Sequence, residues 1–303
     1  MTKISLKSPA RPAIVGISLF GVCLSGLAQT VLSTQALPDA TQFMQSVAAN
    51  FKDQYDEQTL LKGYVYRAFT VEEELDGKGR VRTSRTTEFD TYLFPQGPFR
   101  WVLTRDGTPL SKNESRQQED AFTAHVDGRQ IQTADGPWSR SQRSSPASQR
   151  DMIEDIPDAF LFELLRRETV DGRPAIVVGF GPRDGADYSS RLGKLLLPKV
   201  AGRAWIDEED QTLVRVEAEV VDDVKVGVFG LLAKIRKGTV HVQEWFRTDS
   251  GKWLPWKREM EFEARSFLVK TYHRRILEER SDYRKFSLND TTGPSGGAPQ
   301  QNR

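Results

Sequence analysis

The sequence predicts a mainly β protein of the α+β class, built on a single antiparallel, curved sheet of about ten strands. From Leu60 onward, extended runs are separated by Asp-Gly dipeptides, for example at 76–77, 106–107 and 171–172. Such dipeptides join antiparallel neighbours, because Gly and Asp tolerate the positive φ angles that tight hairpins need. Several runs also alternate apolar and charged residues, which indicates strands with one face in water. An N-terminal helix and short helices are expected to cover the concave side of the sheet.

One amphipathic helix precedes the strands. Residues 38–52 place Phe43, Val47 and Phe51 four residues apart, and Asp39 is available as the N-cap. These features predict a helix that buries one apolar face against the sheet.

Two further helical segments interrupt the strands. The first carries a capping-box signature, Ser111 followed three residues later by Glu114. The second, residues 148–165, combines a polar start with an apolar end. Its C-terminal half has two interpretations, since 160–170 could equally be a strand that pairs with 173–182.

Individual strand faces can be assigned from the alternation. The even-numbered residues are apolar and most odd-numbered ones are charged in 212–221 and in the later part of 253–264, so these strands have one wet face. Residues 99–103 and 175–180 are instead apolar almost throughout. Those two strands are expected to be covered on both faces.

The first 28 residues predict a secretory signal peptide. Lys3, Lys7 and Arg11 precede or open an apolar run, and small residues lead to a cleavage point after Ala28. An uncleaved anchor is the alternative, although the run is short for a membrane span of about twenty residues. Cleavage would change the formal net charge from +1 to −2, which does not favour nucleic acid as a partner.

A lipid anchor on Cys23 is not expected, because Val22 stands where a small residue would be needed. Residues 29–286 are predicted to form one domain that rests on its core without disulfides. Residues 287–303 are rich in Gly, Pro, Gln and Asn and almost lack large apolar side chains, so they are predicted to be a disordered tail.

No catalytic site, metal site or cofactor is predicted. His125, His241 and His273 are isolated in the sequence and form no metal-ligand spacing. The sequence contains no GxSxG elbow, no GxGxxG fingerprint and no Walker lysine. Acidic clusters lie at predicted turns and helix starts, where water and helix dipoles stabilise them.

Aromatic strand residues and one apolar insertion are the candidate ligand-binding residues. A curved sheet that is not fully closed leaves a concave apolar face, which a lid or a ligand must cover. The insertion, within 224–240, is glycine-rich and too short to cross a membrane. The candidates are Trp101, Phe229, Leu231, Leu232, Trp245, Phe246 and Phe262.

The insertion itself permits two interpretations, a packed plug or a moving flap. Residues 224–228 are predicted to finish the strand that begins near Thr212. A helical turn or two would follow and direct Phe229, Leu232 and Ile235 toward the hollow, and Gly238 would open the next strand.

Three segments together resemble a known group of proteins. "GRAWIDEEDQTLVRVEAEV", "GKWLPWKREMEF" and the closing "SDYRKF" resemble the outer-membrane lipoprotein-sorting (LolA/LolB-like) half-barrel superfamily, within an uncharacterised exported branch. The resemblance covers roughly 160–286. It implies an open half-barrel and a non-enzymatic, monomeric periplasmic protein that binds or carries a hydrophobic ligand or a lipoprotein. The arginine with which the carriers latch their lid has no residue-by-residue match in this sequence.

Two other functions stay open at this point. The sheet could belong to an envelope sensor or interaction module that binds another envelope protein through an edge or a face. A hydrolase with an unrecognised site is the third possibility, and it would need a His within hydrogen-bond reach of a Ser or a carboxylate.

Overall fold

A computed structural model describes residues 36–55, 60–61, 63–94, 97–127, 146–226, 233–266 and 270–285. The predicted signal peptide and the predicted tail lie outside these ranges. The helices are α1 (Ala40–Tyr55), α2 (Lys112–Val126), α3 (Pro146–Ala159) and α4 (Arg191–Leu196), the last followed by a 3-10 turn (Leu197–Lys199). None of these described helices combines the length and apolar character that a membrane crossing requires.

The strands follow one another along most of the chain. They are β1 (Tyr64–Leu75), β2 (Val81–Phe94), β3 (Gly97–Arg105), β4 (Thr108–Pro109), β5 (Phe160–Val170), β6 (Arg173–Pro182), β7 (Val200–Asp207), β8 (Thr212–Val220), β9 (Val224–Val226), β10 (Ala233–Ile235), β11 (Val240–Arg247), β12 (Trp253–Ser266) and β13 (Lys270–Lys285).

All of these strands join one antiparallel sheet. Its order is β4-β3-β2-β1-β13-β12-β11-β8-β7-β6-β5, and the short β9–β10 hairpin attaches through β10 to β12. Within the described ranges the two edge strands, β4 and β5, do not pair with each other, so the curved sheet stays open. The predicted single antiparallel sheet in the form of an open half-barrel is therefore confirmed. The described residues form thirteen strands where about ten were predicted, and the three shortest, β4, β9 and β10, make up the difference.

The strand register separates the residues of the sheet into two faces. One row of directly opposed residues on successive strands consists of Val178, Ala204, Val216, Gln243, Arg258, Glu278 and Thr70. Helices α1 and α3 and the 3-10 turn pack on this side, which we call the inner face. The neighbouring row, on the outer face, consists of Val177, Trp205, Arg215, Glu244, Lys257, Glu279 and Phe69.

Three of the described helices lie where the sequence signals predict them and one alternative is decided, whereas α4 was not predicted. The backbone N–H of Gln42 donates to Asp39 Oδ1 at 2.9 Å, which confirms Asp39 as the cap of α1. Ser111 and Glu114 form the predicted capping box of α2. Helix α3 ends at Ala159, and the strand interpretation of 160–170 is the correct one, because this segment pairs along its length with β6.

Helix α1 is held on the inner face by apolar packing and by one glutamine. Phe43 and Val47 are buried in the core. Strand β11 pairs with β8 only as far as Arg215, so the backbone of Leu213 lacks a strand neighbour on that side. The Gln54 side chain replaces it: its Nε2 donates to Leu213 O at 2.6 Å, and Leu213 N donates to its Oε1 at 2.9 Å.

The predicted course of the insertion is wrong in two respects. Strand β8 ends at Val220 rather than continuing to 228, because Val220 is hydrogen-bonded through both backbone groups to Gly238 and Thr239. Ile235 lies in a strand, not in a helical turn, since β10 pairs with both β9 and β12. Residues 227–232, which contain Phe229, Leu231 and Leu232, lie outside the described ranges.

The prediction of strands covered on both faces is confirmed for one strand only. Of the predicted residues 175–180, those at 175–178 are all buried, and Gly179 and Phe180 are half-buried. In 99–103, however, Phe99 is buried and Arg100 is exposed. The reason is that α2 packs only on the outer face of β3, where Phe122 meets Phe99 and Trp101 at ring distances of 5.1 and 5.3 Å.

We predict that Gly202→Ala destabilises the fold by about 1–3 kcal/mol, because an added methyl would overlap its neighbours on the inner face. That methyl would lie 2.8 Å from Phe180 Cζ and 3.0 Å from Ala218 Cα, and closer still to the carbonyl oxygen of Glu217. Gly181→Ala is the matched control, since no atom lies within 4 Å of its added methyl. Urea denaturation of both variants measures the difference, and equal midpoints would contradict this packing.

Candidate binding site on the inner face of the sheet

The inner face carries an ionic group at the centre of the sheet. Glu278 on β13 accepts a hydrogen bond from Arg258 Nη2 at 2.7 Å and another from Arg280 Nε at 2.6 Å. Glu278 and Arg280 are buried, and the Arg258 side chain is 25% exposed. The positive charge of Arg100, on β3, also helps to lower the pKa of Glu278. We call Arg100, Arg258 and Arg280 the arginine cluster.

Strand geometry places these side chains together. Arg258 and Glu278 are directly opposed partners on β12 and β13, and Arg280 follows on the same face of β13. The guanidinium of Arg280 lies 4.9 Å from the centre of the Tyr66 ring. The guanidinium of Arg100 stacks in the same way over Phe89, at 5.0 Å. Arginine suits this position because its planar guanidinium group can stack on an aromatic ring and bind a carboxylate at the same time.

The electrostatics of the group keep Glu278 ionised. Burial alone would raise the pKa of this carboxyl, but the positive charges of Arg258, Arg280 and Arg100 outweigh burial. The pKa of Glu278 is therefore far below its ordinary value of 4.5. One carboxylate thus faces three guanidinium groups in the middle of the inner face.

Two buried threonines adjoin the same group. Thr70 lies opposite Glu278 across the β1–β13 pair, and Thr91 lies opposite Arg100 across the β2–β3 pair. Their exposures are 7% and 2%. Neither hydroxyl has a hydrogen-bond partner among the described residues. A buried hydroxyl without a partner carries a free-energy cost, so each one needs an explanation.

Apolar surface lies on both sides of the arginine cluster. The first group joins Phe43 and Val47 of α1 to the sheet and further contains Ile176, Val178, Ala204, Ile206, Leu213, Val214, Trp245 and Trp253, while Val177 and Trp205 of the same core cluster lie in the outer row. The second contains Leu61, Tyr66, Ala68, Phe89, Leu254 and Tyr283. Met260 and Ile276, opposed partners on β12 and β13, are on the inner face and only half-buried. The inner face is therefore apolar with a charged centre.

The predicted lining residues take different places in this arrangement. Trp245 is buried in the first apolar group. Phe262 is buried on the inner face, in the same phase of β12 as Arg258 and Met260. Phe246 packs beside Tyr283, with ring centres 5.9 Å apart.

Trp101 is separated from Trp245 and Phe262 by the sheet. It lies opposite Asp90 on the outer face and packs against Phe122 of α2. The structure thus brings Phe262 to the same face as the arginine cluster and Trp101 to the other face.

The arginine cluster and its threonines were not predicted. A signal existed for Arg258, which occupies an even-numbered position among the apolar Leu254, Met260 and Phe262. A charged residue in phase with apolar ones indicates a buried charge that needs a partner. The partner, Glu278, could not be found from the sequence, because strand pairing decides it.

His125 and His273 each have a structural partner. His125 Nε2 lies 3.1 Å from the carbonyl oxygen of Gly97. His273 Nε2 lies 3.1 Å from Glu261 Oε1, but the same carboxylate accepts from Arg275 on the outer face, as in a surface ion network. Among the described residues, no group of three His, Cys, Asp or Glu side chains could hold a metal ion.

The buried Asp155 also has a structural role. Its two carboxylate oxygens accept hydrogen bonds from the hydroxyls of Ser189 and Ser190 at 2.6 and 2.8 Å. Ser190 in turn caps α4 by accepting from Gly193 N. Asp155 therefore ties α3 to the start of α4.

The fold and the site together define an open antiparallel half-barrel with a basic centre on its helix-covered face. No protein-family model matches the chain, and no curated protein sequence matches it either. Several solved structures are similar.

One is a provisionally described outer membrane lipoprotein-sorting protein domain from Vibrio parahaemolyticus, at 10% identity and a TM-score of 0.30, covering 80% of this chain and 90% of that one. A second is a DUF1329 family protein from Desulfovibrio piger, at 12% identity and a TM-score of 0.31, covering 82% and 94%. A third is a LolA superfamily protein from Nitrosomonas europaea, at 11% identity and a TM-score of 0.26, covering 80% and 93%. Similarity at these identities and TM-scores assigns neither a family nor a role to this chain.

We predict that Glu278→Gln lowers the free energy of unfolding at pH 7 by about 3 kcal/mol, because it leaves buried guanidinium charges without their carboxylate. Glu279→Gln, one residue further on the same strand, is exposed and serves as the control.

The same pair of variants tests the pKa of Glu278. A carboxylate whose pKa is lowered by folding contributes its stability above the unfolded pKa and loses it as the pH falls toward the folded value. As the pH falls from 4.5 to 3, the wild type should therefore lose about 1.5 kcal/mol in total more than Glu278→Gln, with a slope that approaches about 1.4 kcal/mol per pH unit at the acid end. Urea denaturation from pH 3 to pH 7 measures this, and parallel curves would show that Glu278 titrates normally.

Proposed function

We propose that this chain is a non-enzymatic periplasmic protein that binds or carries a hydrophobic ligand or a lipoprotein. The observation that carries the proposal is the half-buried apolar surface at Met260 and Ile276, on the inner face of a sheet whose edges do not pair in the described ranges. Apolar side chains on an open, helix-covered face are suited to an acyl chain, of which each buried CH₂ contributes about 0.8 kcal/mol.

The proposed lining combines described and undescribed residues. Phe262 lies two positions from Met260 on β12, and β10 pairs with β12 just beyond it, at Ala264 and Ser266. Phe229, Leu231 and Leu232, which come between β9 and β10 in the sequence, lie outside the described residues, and their place in the lining is part of the proposal. Trp245 and Phe246 supply apolar surface at the other end of β11.

We predict that the protein purified from the periplasm retains a lipid in native mass spectrometry, and that the emptied protein binds a fluorescent fatty acid. Ile276→Asn should weaken fatty-acid binding about tenfold or more, since it puts an amide where the acyl chain packs. Leu277→Asn is the matched control, because Leu277 is equally half-buried but lies on the outer face of the same strand.

Two results would count against the carrier function. One is the absence of any retained lipid together with no uptake of the fluorescent fatty acid. The other is an equal loss of binding in both variants, which would indicate general destabilisation rather than a site on the inner face.

A second candidate function, binding of another envelope protein, is favoured by one edge of the sheet. Strand β5 pairs only with β6 in the described ranges, and it exposes Leu161 and Leu165 to 58% and 39%. An edge strand with exposed apolar side chains is a surface to which a partner can add a strand.

We predict for this second function that Leu161→Lys abolishes a crosslink to a protein partner in cells, because it places a charge in the contact. Glu163→Lys, an exposed substitution two residues further on the same edge, should leave the crosslink in place. A crosslink that survives Leu161→Lys would exclude this edge as the docking surface.

A further inference from the structure

We infer that the arginine cluster is an anion-binding site, which holds the carboxylate or phosphate head of an amphipathic ligand while the apolar part lies along the inner face. This inference rests on the proposed function and adds a class of ligand to it. Three independent features support it: the charge balance of the cluster, the exposure of two of its arginines, and the two threonine hydroxyls.

The charge balance leaves a surplus of positive charge. Arg258 and Arg280 share the carboxylate of Glu278, and Arg100 has no carboxylate within ion-pair distance among the described residues. The next acidic side chain along the inner face of β1 is Glu72, which is exposed to solvent. Uncompensated positive charge in a partly buried place is costly, and a bound anion removes that cost.

The cluster is also reachable from solvent. Arg100 is exposed and Arg258 is partly exposed, whereas Arg280 and Glu278 are buried. The buried pair therefore fixes the position of the group, and the two accessible guanidinium groups present donors to an incoming anion.

The threonine hydroxyls supply the remaining donors. Thr70 and Thr91 are the strand partners of Glu278 and Arg100, so they border the cluster on two sides. Both are almost fully buried, and their hydroxyls have no partner among the described residues. A hydroxyl that donates to a bound anion would regain the hydrogen bond that burial removes.

The two threonines provide a clean experiment, because valine has the shape of threonine and their hydroxyls make no hydrogen bond within the described part of the chain. Thr70→Val and Thr91→Val should keep or slightly raise the melting temperature. The probes are cis-parinaric acid and its methyl ester, which share an apolar chain and differ in the charge of the head. Wild-type protein should bind the acid about tenfold more tightly than the ester, and either valine variant should reduce this preference to about threefold or less. Thr86→Val, on the outer face of β2, is the control and should keep the full preference.

A charge substitution gives a second, independent measurement. Arg258→Gln should reduce the preference for the acid as well, and affinity for the ester should change little. Arg203→Gln is the matched control. Arg203 also pairs with a glutamate on the neighbouring strand, with its Nη2 3.0 Å from Glu217 Oε2, but this pair lies on the outer face.

The outcomes separate this inference from the proposed function. Equal binding of acid and ester by the wild type would overturn the anion site and leave the hydrophobic site in place. Binding of neither probe would count against the carrier function, and inorganic phosphate then decides the anion site. A rise in melting temperature with phosphate, present in the wild type and absent in Thr70→Val, would support a site for a free anion. No rise would overturn the anion site.

Discussion

The pairing of β1 with β13 is the constraint on which the rest of the structure depends. The two strands run antiparallel from Tyr64 opposite Lys285 to Glu74 opposite Arg274, so the first and last strands of the described chain are neighbours near the middle of the sheet. Every other strand reaches the sheet through a sequential neighbour or through one short crossover. A change of one residue in the β1–β13 register would turn Glu278 and Arg280 to the outer face, since side chains alternate along a strand. The position of the ionic group and the accessibility of the inner face therefore follow from one long-range register.

The sequence was sufficient for those parts of the fold that short-range physics decides. The caps at Asp39 and Ser111, and the alternation in β8 and in the later part of β12, depend on residues within a few positions of one another. Trp101 could not be placed by such reasoning, because its face depends on how β3 pairs with β2 and on which side α2 packs. The course of 221–226 was mispredicted for a similar reason: tertiary hydrogen bonds to Val220 end β8 before the apolar pattern does.

The candidate site was less predictable than the fold, because it is formed between strands far apart in sequence. Arg100, Arg258 and Glu278 come from β3, β12 and β13. Each is an ordinary charged residue in its own segment, and only the pairing of the strands gives them a common neighbourhood. The residues that sequence reasoning favoured were aromatic and leucine side chains; of these, Trp245 and Phe262 are buried in the core, and Trp101 lies on the outer face. A charged residue in phase with apolar ones, as at Arg258, was the better indication of a site residue. A buried charge is costly unless an opposite charge or a hydrogen-bond partner lies beside it.

The β1–β13 pair also has a consequence for how the molecule is made. Strands β5 to β8 and β11 to β12 can form in order as the chain emerges, because each pairs with a strand close to it in sequence. Strand β1 can pair with β2 early. Its other edge stays unpaired until β13, the last strand of the described chain, has been made. Long-range pairings of this kind are slow, and they leave strand edges exposed in the meantime. The inner face, with its charged centre, is thus complete only after the final strand is in place, and an incomplete chain presents an unpaired edge instead of a binding surface.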